Sequence, residues 1–392
     1  MTNGVPGLTL REQYTSSRGR FGERVVPVIA FVLLMGFAWA NRFVQDDAYI
    51  SFRYAEHLAG GHGLVWNVGE EPVEGYTNFL WVLVVAGCLK SGLPAPEAAV
   101  VIGMLLFAGS LGLIYSIAKV WVGGRWRALG VMVLAGGNYT FSAYATGGLE
   151  TQLQTFLLLA AVRVVLWQHS DWSAAGAAVL SVIVALGVLC RPDFALFALF
   201  LGGVLVVDAL RVWPSERRHA VAVLFAGALP LGVVMGAWIG WKIWYYGDVL
   251  PNTFYVKAAG TASAVVGLKY VYHFLASYLL LPAVALAAAA CLPVFLKRAP
   301  TLFQIFLAMT AVWLAYVVKV GGCSMEFRFI VPVIPFIMMY LVWVFWASGM
   351  MSKVIAIVLT ANVLIGSVWH MQTFRGGGEG IAPVPVLHGW TV

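Results

Sequence analysis

Charge is what this sequence has least of. Only 10% of its 392 residues are Asp, Glu, Lys or Arg, while 61% are hydrophobic. Soluble globular domains carry about 25% charged residues, and disordered chains pair low hydrophobicity with high charge, so both classes are excluded. Cysteine is scarce as well. The four residues Cys88, Cys190, Cys291 and Cys323 show none of the spacings of a metal site. The first three lie in apolar runs and read as buried thiols; Cys323 stands alone in a loop and frames no disulfide. A sequence repeat is also missing, which removes the usual mark of an inverted-repeat transporter.

What is present is a series of long apolar runs. The balance of 24 Lys+Arg against 17 Asp+Glu gives +7, but the basic residues sit in short groups between those runs. That is the pattern of topology signals in a lipid bilayer, so no nucleic-acid partner is expected. Arg11, Arg18, Arg20 and Arg24 precede the run 25–40, which assigns residues 1–24 to a cytoplasmic tail. Ala38-Trp39-Ala40 looks like a signal-peptidase site, but the run is long enough to span uncleaved. The run 79–89 is too short to cross and reads as a helix on the membrane surface. Taking it so keeps Lys119, Arg125 and Arg127 inside.

The remaining spans then alternate at 98–122, 127–145, 151–168, 173–190, 194–210, 219–243, 277–296, 301–318, 329–347 and 353–371, about eleven in all. The sequence thus predicts an all-α polytopic membrane protein. Its transmembrane domain covers 25–374 and holds a first outer loop, 41–97, with surface helices. A Gly- and Pro-rich tail, 375–392, lies outside.

With this topology the polar outer segments are 41–78, 146–151, 191–193, 245–269 and 319–329, all on one face. Buried charge is costly at membrane depth, so gathering it there points to a polar cavity. The first loop carries Asp46, Asp47, Glu56, Glu70, Glu71 and Glu74. A helix through 46–57 sets Asp46, Tyr49, Ile50, Arg53 and His57 on one face, either as a solvated surface or as a reactive one. A carboxylate at a dry mouth suits general-base work, and the second acid beside it could instead bind a divalent cation. Arg53, Arg191, Lys257, Lys269, Lys319 and Arg328 fall outside, as a phosphate site requires. Lys242 reads as a snorkelling residue. Trp66, Tyr76, Tyr246 and Tyr255 stand near the loops, where aromatic rings could stack on sugars.

The segment DDAYISFRYAEHLAGGHGLVWNVGEEPVEGYTNFLW resembles the first periplasmic loop of bacterial GT-C membrane glycosyltransferases. It is most similar to the branch of AftB-like terminal arabinofuranosyltransferases and pilin arabinosyltransferases. ATGGLET at 145–151, PNTFYVK at 251–257, GGCSMEFRFIVPVIP at 321–335 and CRPDFAL at 190–196 match the same branch. The resemblance implies a GT-C fold in the bacterial inner membrane with a periplasmic active site. It further implies a polyprenyl-phosphate sugar donor and a glycan or pilin-like acceptor. It assigns catalysis to Asp46 and Asp47, and phosphate contacts to Lys257, Arg328, Arg53 and Arg191. Substrate contacts fall on Tyr49, His57, Glu74, Tyr76, Glu150, Asn252, Tyr255 and Glu326.

Two departures stand out. The mycobacterial relatives carry a soluble outer domain after the last span, where about 18 residues follow here, so their acceptor is not carried over. Cys323 also stands where the branch has Asp, which weakens a metal or acceptor role for that loop. The expected activity is transfer of a sugar, arabinofuranose by analogy, to an acceptor hydroxyl. A flippase of lipid-linked sugars or a non-catalytic membrane subunit are the alternatives. Single cysteines introduced in 41–78 should react with an impermeant maleimide in spheroplasts, and those in 211–218 only after lysis; the reverse pattern would overturn this topology.

Overall fold

A backbone in lipid must satisfy its own hydrogen bonds, and a helix does so within one segment. The computed structural model describes residues 10–253, 255, 263–287, 298–323, 325–349, 359–361 and 363–369. Among them every regular element is helical and none is a strand. In chain order the first ten α-helices are α1 (Leu10–Ala40), α2 (Ala48–Ala59), α3 (Phe79–Lys90), α4 (Ala95–Trp121), α5 (Arg125–Gly136), α6 (Tyr139–Ala143), α7 (Thr151–Gln168), α8 (Ala174–Cys190), α9 (Ala195–Val212) and α10 (Arg217–Tyr246). Helices Ala264–Ser277, Thr301–Lys319 and Ile334–Ala347 follow.

Five helices among the described residues are long and apolar enough to cross a membrane: Ala95–Trp121, Pro192–Val212, Arg217–Tyr246, Thr301–Lys319 and Arg328–Ala347. The apolar helices Val25–Ala40, Ala174–Cys190 and Leu359–Trp369 are shorter, and α7 fills the expected span 151–168. Two expected spans look different. The stretch 127–145 breaks after Gly136, because the side chain of buried Asn138 accepts the Phe141 amide at 3.1 Å and caps a new helix, α6. The expected loop 245–269 already contains the first turns of helix Ala264–Ser277. That helix meets helix Leu281–Ala287 at a bend of 102°. Helix α1 begins at Leu10, inside the expected tail. The spans 277–296 and 353–371 lie partly, and Cys291 and the tail 375–392 wholly, outside the described residues.

Helices α4, α5, α7, α8 and α10 pack side by side, α4 against α5 and α7, and α8 against α7 and α10. The first loop shares an apolar core with the turn before α7, made from Phe52, Tyr54, Tyr76, Trp81, Val85 and Leu149. Helix α3 has 12 residues, about 18 Å against a hydrocarbon core of about 30 Å, too short to cross. Trp81 Nε1 donates to the Gly148 carbonyl at 2.9 Å, pinning α3 to the turn before α7. Gly148 adopts φ +75°, and a Cβ there would lie 2.9 Å from the Ala48 Cβ; only glycine gives both the turn and the close approach.

Lys242 does not snorkel. It is 2% exposed and its Nζ lies 2.8 Å from Glu74 Oε2, because the end of α10 is covered by the first loop and not by lipid. Cys88 is half-buried on α3, whereas Cys190 is fully buried.

Close helix packing in a membrane relies on small residues. On α4, a Cβ added at Gly103 would lie 2.1 Å from the Ala145 carbonyl oxygen, a backbone atom that cannot turn aside. Gly103→Ala should therefore cost on the order of 1–3 kcal/mol. Thermal unfolding in detergent would read this as a lower midpoint, with Gly112→Ala, which faces open space, as the unaffected control.

Candidate active site

Three chain reversals place one carboxylate between two guanidinium groups. Glu150 stands immediately before α7, Arg191 immediately after α8, and Arg328 at the start of the 3-10 helix Arg328–Val333. Glu150 is 1% exposed. Its Oε1 accepts from Arg191 Nη1 at 2.9 Å and from Arg328 Nη2 at 2.5 Å. Its Oε2 accepts from Asn78 Nδ2 at 2.8 Å, and Asn78 in turn accepts from and donates to Ser51 of α2. Arg191 forks onto Asp193, with Nη2 to Oδ2 at 2.6 Å, and Gln154 donates to the same carboxylate. Two acids and two arginines thus balance to zero. Arg328 also donates from Nε to Thr151 Oγ1 at 3.1 Å, while its Nη1 meets the Met325 sulfur at 3.3 Å.

Glu150 lies in the turn outside the spans. Burial pushes its carboxyl up, but Arg328 and Arg191 together with the Asn78 hydrogen bond outweigh that and hold it down at about 2.

Asp46 stands apart from this network, at the mouth of an open cavity of about 340 Å³ in the first loop. Tyr49, Arg53, Glu56 and Trp66 line the same cavity. Asp46 Oδ1 accepts from the Asp47 amide and from Gln45 Nε2, both at 2.8 Å. Asp47 is exposed at the start of α2 and does not line the cavity. Arg53 donates to the Trp66 carbonyl and to Asn67 Oδ1, both at 2.7 Å, and lies 4.4 Å over the Trp66 ring. His57 turns the other way, with Nδ1 2.8 Å from the Val65 carbonyl, so Glu56 takes the place expected for it.

The other expected contacts hold the loop together. Glu74 is buried against Lys242, and its backbone carbonyl accepts from the Asn252 amide at 3.1 Å. Burial raises the Glu74 carboxyl pKa against the pull of Lys242. Tyr76 and Tyr246 share a hydroxyl contact of 3.1 Å. Tyr255 donates to Asp248 at 2.9 Å, both residues being exposed. Glu326 is fully buried, where it accepts from Thr140 Oγ1. Phe327, at φ +28°, turns the chain so that Glu326 faces Thr140 while Arg328 faces Glu150. Lys257 lies outside the described residues.

Asn78, Thr151 and Asp193 escaped the sequence reading, and Lys242 reads there as snorkelling. The Arg-Pro-Asp turn carried a signal for Asp193, since proline bends the two charges together. A lysine in an apolar run carried one for Lys242, since such a residue needs a named partner. Asn78 and Thr151 carried none. Among the described residues no three His, Cys, Asp or Glu side chains stand close enough to hold a metal ion. Asp46 and Asp47 alone fall short of the oxygen shell of about six to eight ligands that a calcium ion takes, whereas a magnesium ion needs only about one or two carboxylates beside waters and a phosphate.

The folded-state pKa of Glu150 lies below its ordinary value of 4.5. Its ionised form therefore stabilises the fold above the ordinary value, and that contribution is lost as the pH falls toward 2. Thermal unfolding should show wild type more stable than Glu150→Gln at pH 7, with the gap narrowing below about pH 4.5. A gap constant with pH would show that the carboxylate is not ionised between the arginines.

No family model matches the chain. It is 28% identical over 300 residues to the terminal β-(1→2)-arabinofuranosyltransferase of Mycobacterium tuberculosis, a match covering 72% of this chain and 46% of the relative. It is also 28% identical over 331 residues to the enzyme of the same name from Corynebacterium glutamicum, covering 74% and 46%. The chain thus spans about half the length of these curated relatives. Its fold superposes on ArnT from Cupriavidus metallidurans bound to undecaprenyl phosphate. The TM-score is 0.63 at 16% identity, over 90% of this chain and 66% of ArnT. The apo form of that protein gives 0.62, over 87% and 62%. Likeness to the arabinofuranosyltransferases in sequence goes with likeness to ArnT in fold, and the chain has the GT-C architecture.

Proposed function

We propose that this chain is a membrane glycosyltransferase. In this reading it moves a sugar, arabinofuranose by similarity, from a polyprenyl-phosphate donor to an acceptor hydroxyl on a glycan or pilin-like protein, at the periplasmic face of the bacterial inner membrane. The observation that carries the reading is the pairing of an exposed acid with a buried arginine network at one end of the bundle. Asp46 opens into the cavity beside α2, and Ser51 on α2 connects through Asn78 to Glu150 and its arginines. The relatives' names supply the sugar, and ArnT, crystallised with undecaprenyl phosphate, supplies the lipid class.

Asp46 takes the proton of the acceptor hydroxyl as that oxygen attacks the anomeric carbon. The bond from this carbon to the donor's phosphate oxygen breaks, and its electron pair leaves with the polyprenyl phosphate. Arg328 is the cation best placed to meet that charge. Its Nη1 faces only a thioether, a weak acceptor that a phosphate oxygen displaces at a profit in hydrogen bonding. Arg191, engaged on Asp193 and Glu150, positions the network and has less to offer a ligand.

The full chain in liposomes, given a radiolabelled polyprenyl-phosphoryl arabinose and an arabinofuranosyl oligosaccharide, tests this. Asp46→Asn should slow transfer by about 10²–10⁴-fold with an unchanged melting curve, since Asp46 is exposed. Arg328→Ala should raise the donor KM. Normal transfer by Asp46→Asn would remove the mechanism.

A further inference from the structure

The cavity beside Asp46 has a chemistry that does not suit a phosphate. Its ionisable lining is Asp46, Glu56 and Arg53, two anions to one cation. A phosphate entering it would face both carboxylates at once. The single cation is held in place, since Arg53 donates from Nε to the Trp66 carbonyl and from Nη2 to Asn67, and Asn67 is held by Glu70 at 2.7 Å. Arg53 is therefore a fixed part of the wall, stacked on Trp66, and not a mobile phosphate clamp.

The same lining suits hydroxyl groups. Ionised carboxylates are pure acceptors, and a hydroxyl donating to one makes a charge-assisted bond stronger than a neutral one. Asp46, just before α2, and Tyr49, Arg53 and Glu56 on it recur at helical spacing, so one side of this segment presents acceptor, ring, donor and acceptor in turn. Tyr49 and Trp66 are both exposed, offering apolar surface against which the C–H face of a sugar can lie. The volume of about 340 Å³ lies at the lower end of small-molecule sites, roughly 300–1,000 Å³, and so fits a short saccharide but not a lipid.

We propose that this cavity seats a neutral sugar ring beside the reacting acid, with Glu56, Arg53 and Trp66 as its contacts, and that the phosphate is handled elsewhere, at Arg328. The inference rests on the glycosyltransferase reading and removes Arg53 from the phosphate site. The ring can belong to the acceptor glycan or to the donor's own sugar. Both present the same hydroxyl chemistry.

The test uses the full chain in nanodiscs with three probes: an arabinofuranosyl disaccharide, undecaprenyl phosphate, and polyprenyl-phosphoryl arabinose. Trp66→Ala should weaken sugar recognition roughly tenfold, with Trp66→Phe recovering part of it. Glu56→Gln should weaken it severalfold while leaving the fold intact, since Glu56 is exposed on α2. Undecaprenyl phosphate binding should be unchanged in all three. Loss of disaccharide binding identifies the acceptor ring. Loss only of the extra affinity of polyprenyl-phosphoryl arabinose over undecaprenyl phosphate identifies the donor ring. Variants that weaken undecaprenyl phosphate while sparing both sugars overturn the proposal, as do variants with no effect on any probe. In either case a wild type that still transfers arabinose keeps the glycosyltransferase reading. A wild type that binds no probe and transfers nothing ends both.

Discussion

A carboxylate cut off from water is tolerable only when opposite charge and hydrogen-bond donors replace the lost hydration. Glu150 meets that requirement with Arg191, Arg328 and Asn78, and much of the surrounding architecture follows from it. The three charged residues sit at the ends of separate elements, so satisfying one buried anion draws α7, α8 and the segment before Ile334 to a common point. Asn78 extends the same constraint to the first loop, and Asp193 neutralises the surplus guanidinium. Removing any one partner leaves another ion buried without compensation, which is why such a network holds its geometry firmly.

The opposite end of the bundle uses the same physics with other residues. Buried Asp208 on α9 accepts from His169 at 2.7 Å and from Trp172 Nε1 at 3.0 Å, with Arg211 3.2 Å away. This ties the α7–α8 turn to α9, at the other ends of the helices that begin beside Glu150 and Asp193. Ionisable groups are few here, so each tends to serve a junction. Those of the first loop that line the open cavity, Asp46, Arg53 and Glu56, are exposed.

The division of labour between network and cavity has an electrostatic origin. The Glu150 network is charge-balanced and buried, so it gives shape and holds Arg328 ready at its edge. The cavity is open and carries an excess of carboxylate, so it favours hydroxyl donors over anions. The buried Glu74–Lys242 pair and the Tyr76–Tyr246 contact close the loop against the end of α10, which fixes the cavity wall without adding net charge to it.

Much was legible in the sequence because lipid imposes simple rules. Apolar runs must be helices, scarce charges must gather where water is, and five polar segments on one predicted face could only meet there. The short run at 79–89, a helix too short to cross, could be read from its length and from the basic residues that follow. Partner choice could not. Arg328, Arg191 and Arg53 all read as phosphate contacts, yet two are bound to a buried acid and the third to the loop's own backbone and Asn67. Lys242 looked lipid-facing until the first loop covered it. His57 and Glu56 are neighbours, and a single residue step along α2, about 100° of rotation, decided which faces the cavity. Composition and periodicity report how each residue stands toward lipid and water, which is a local property. Which charge neutralises which depends on contacts between separate segments, up to 178 residues apart for Arg328 and Glu150, and only the packed bundle brings those together.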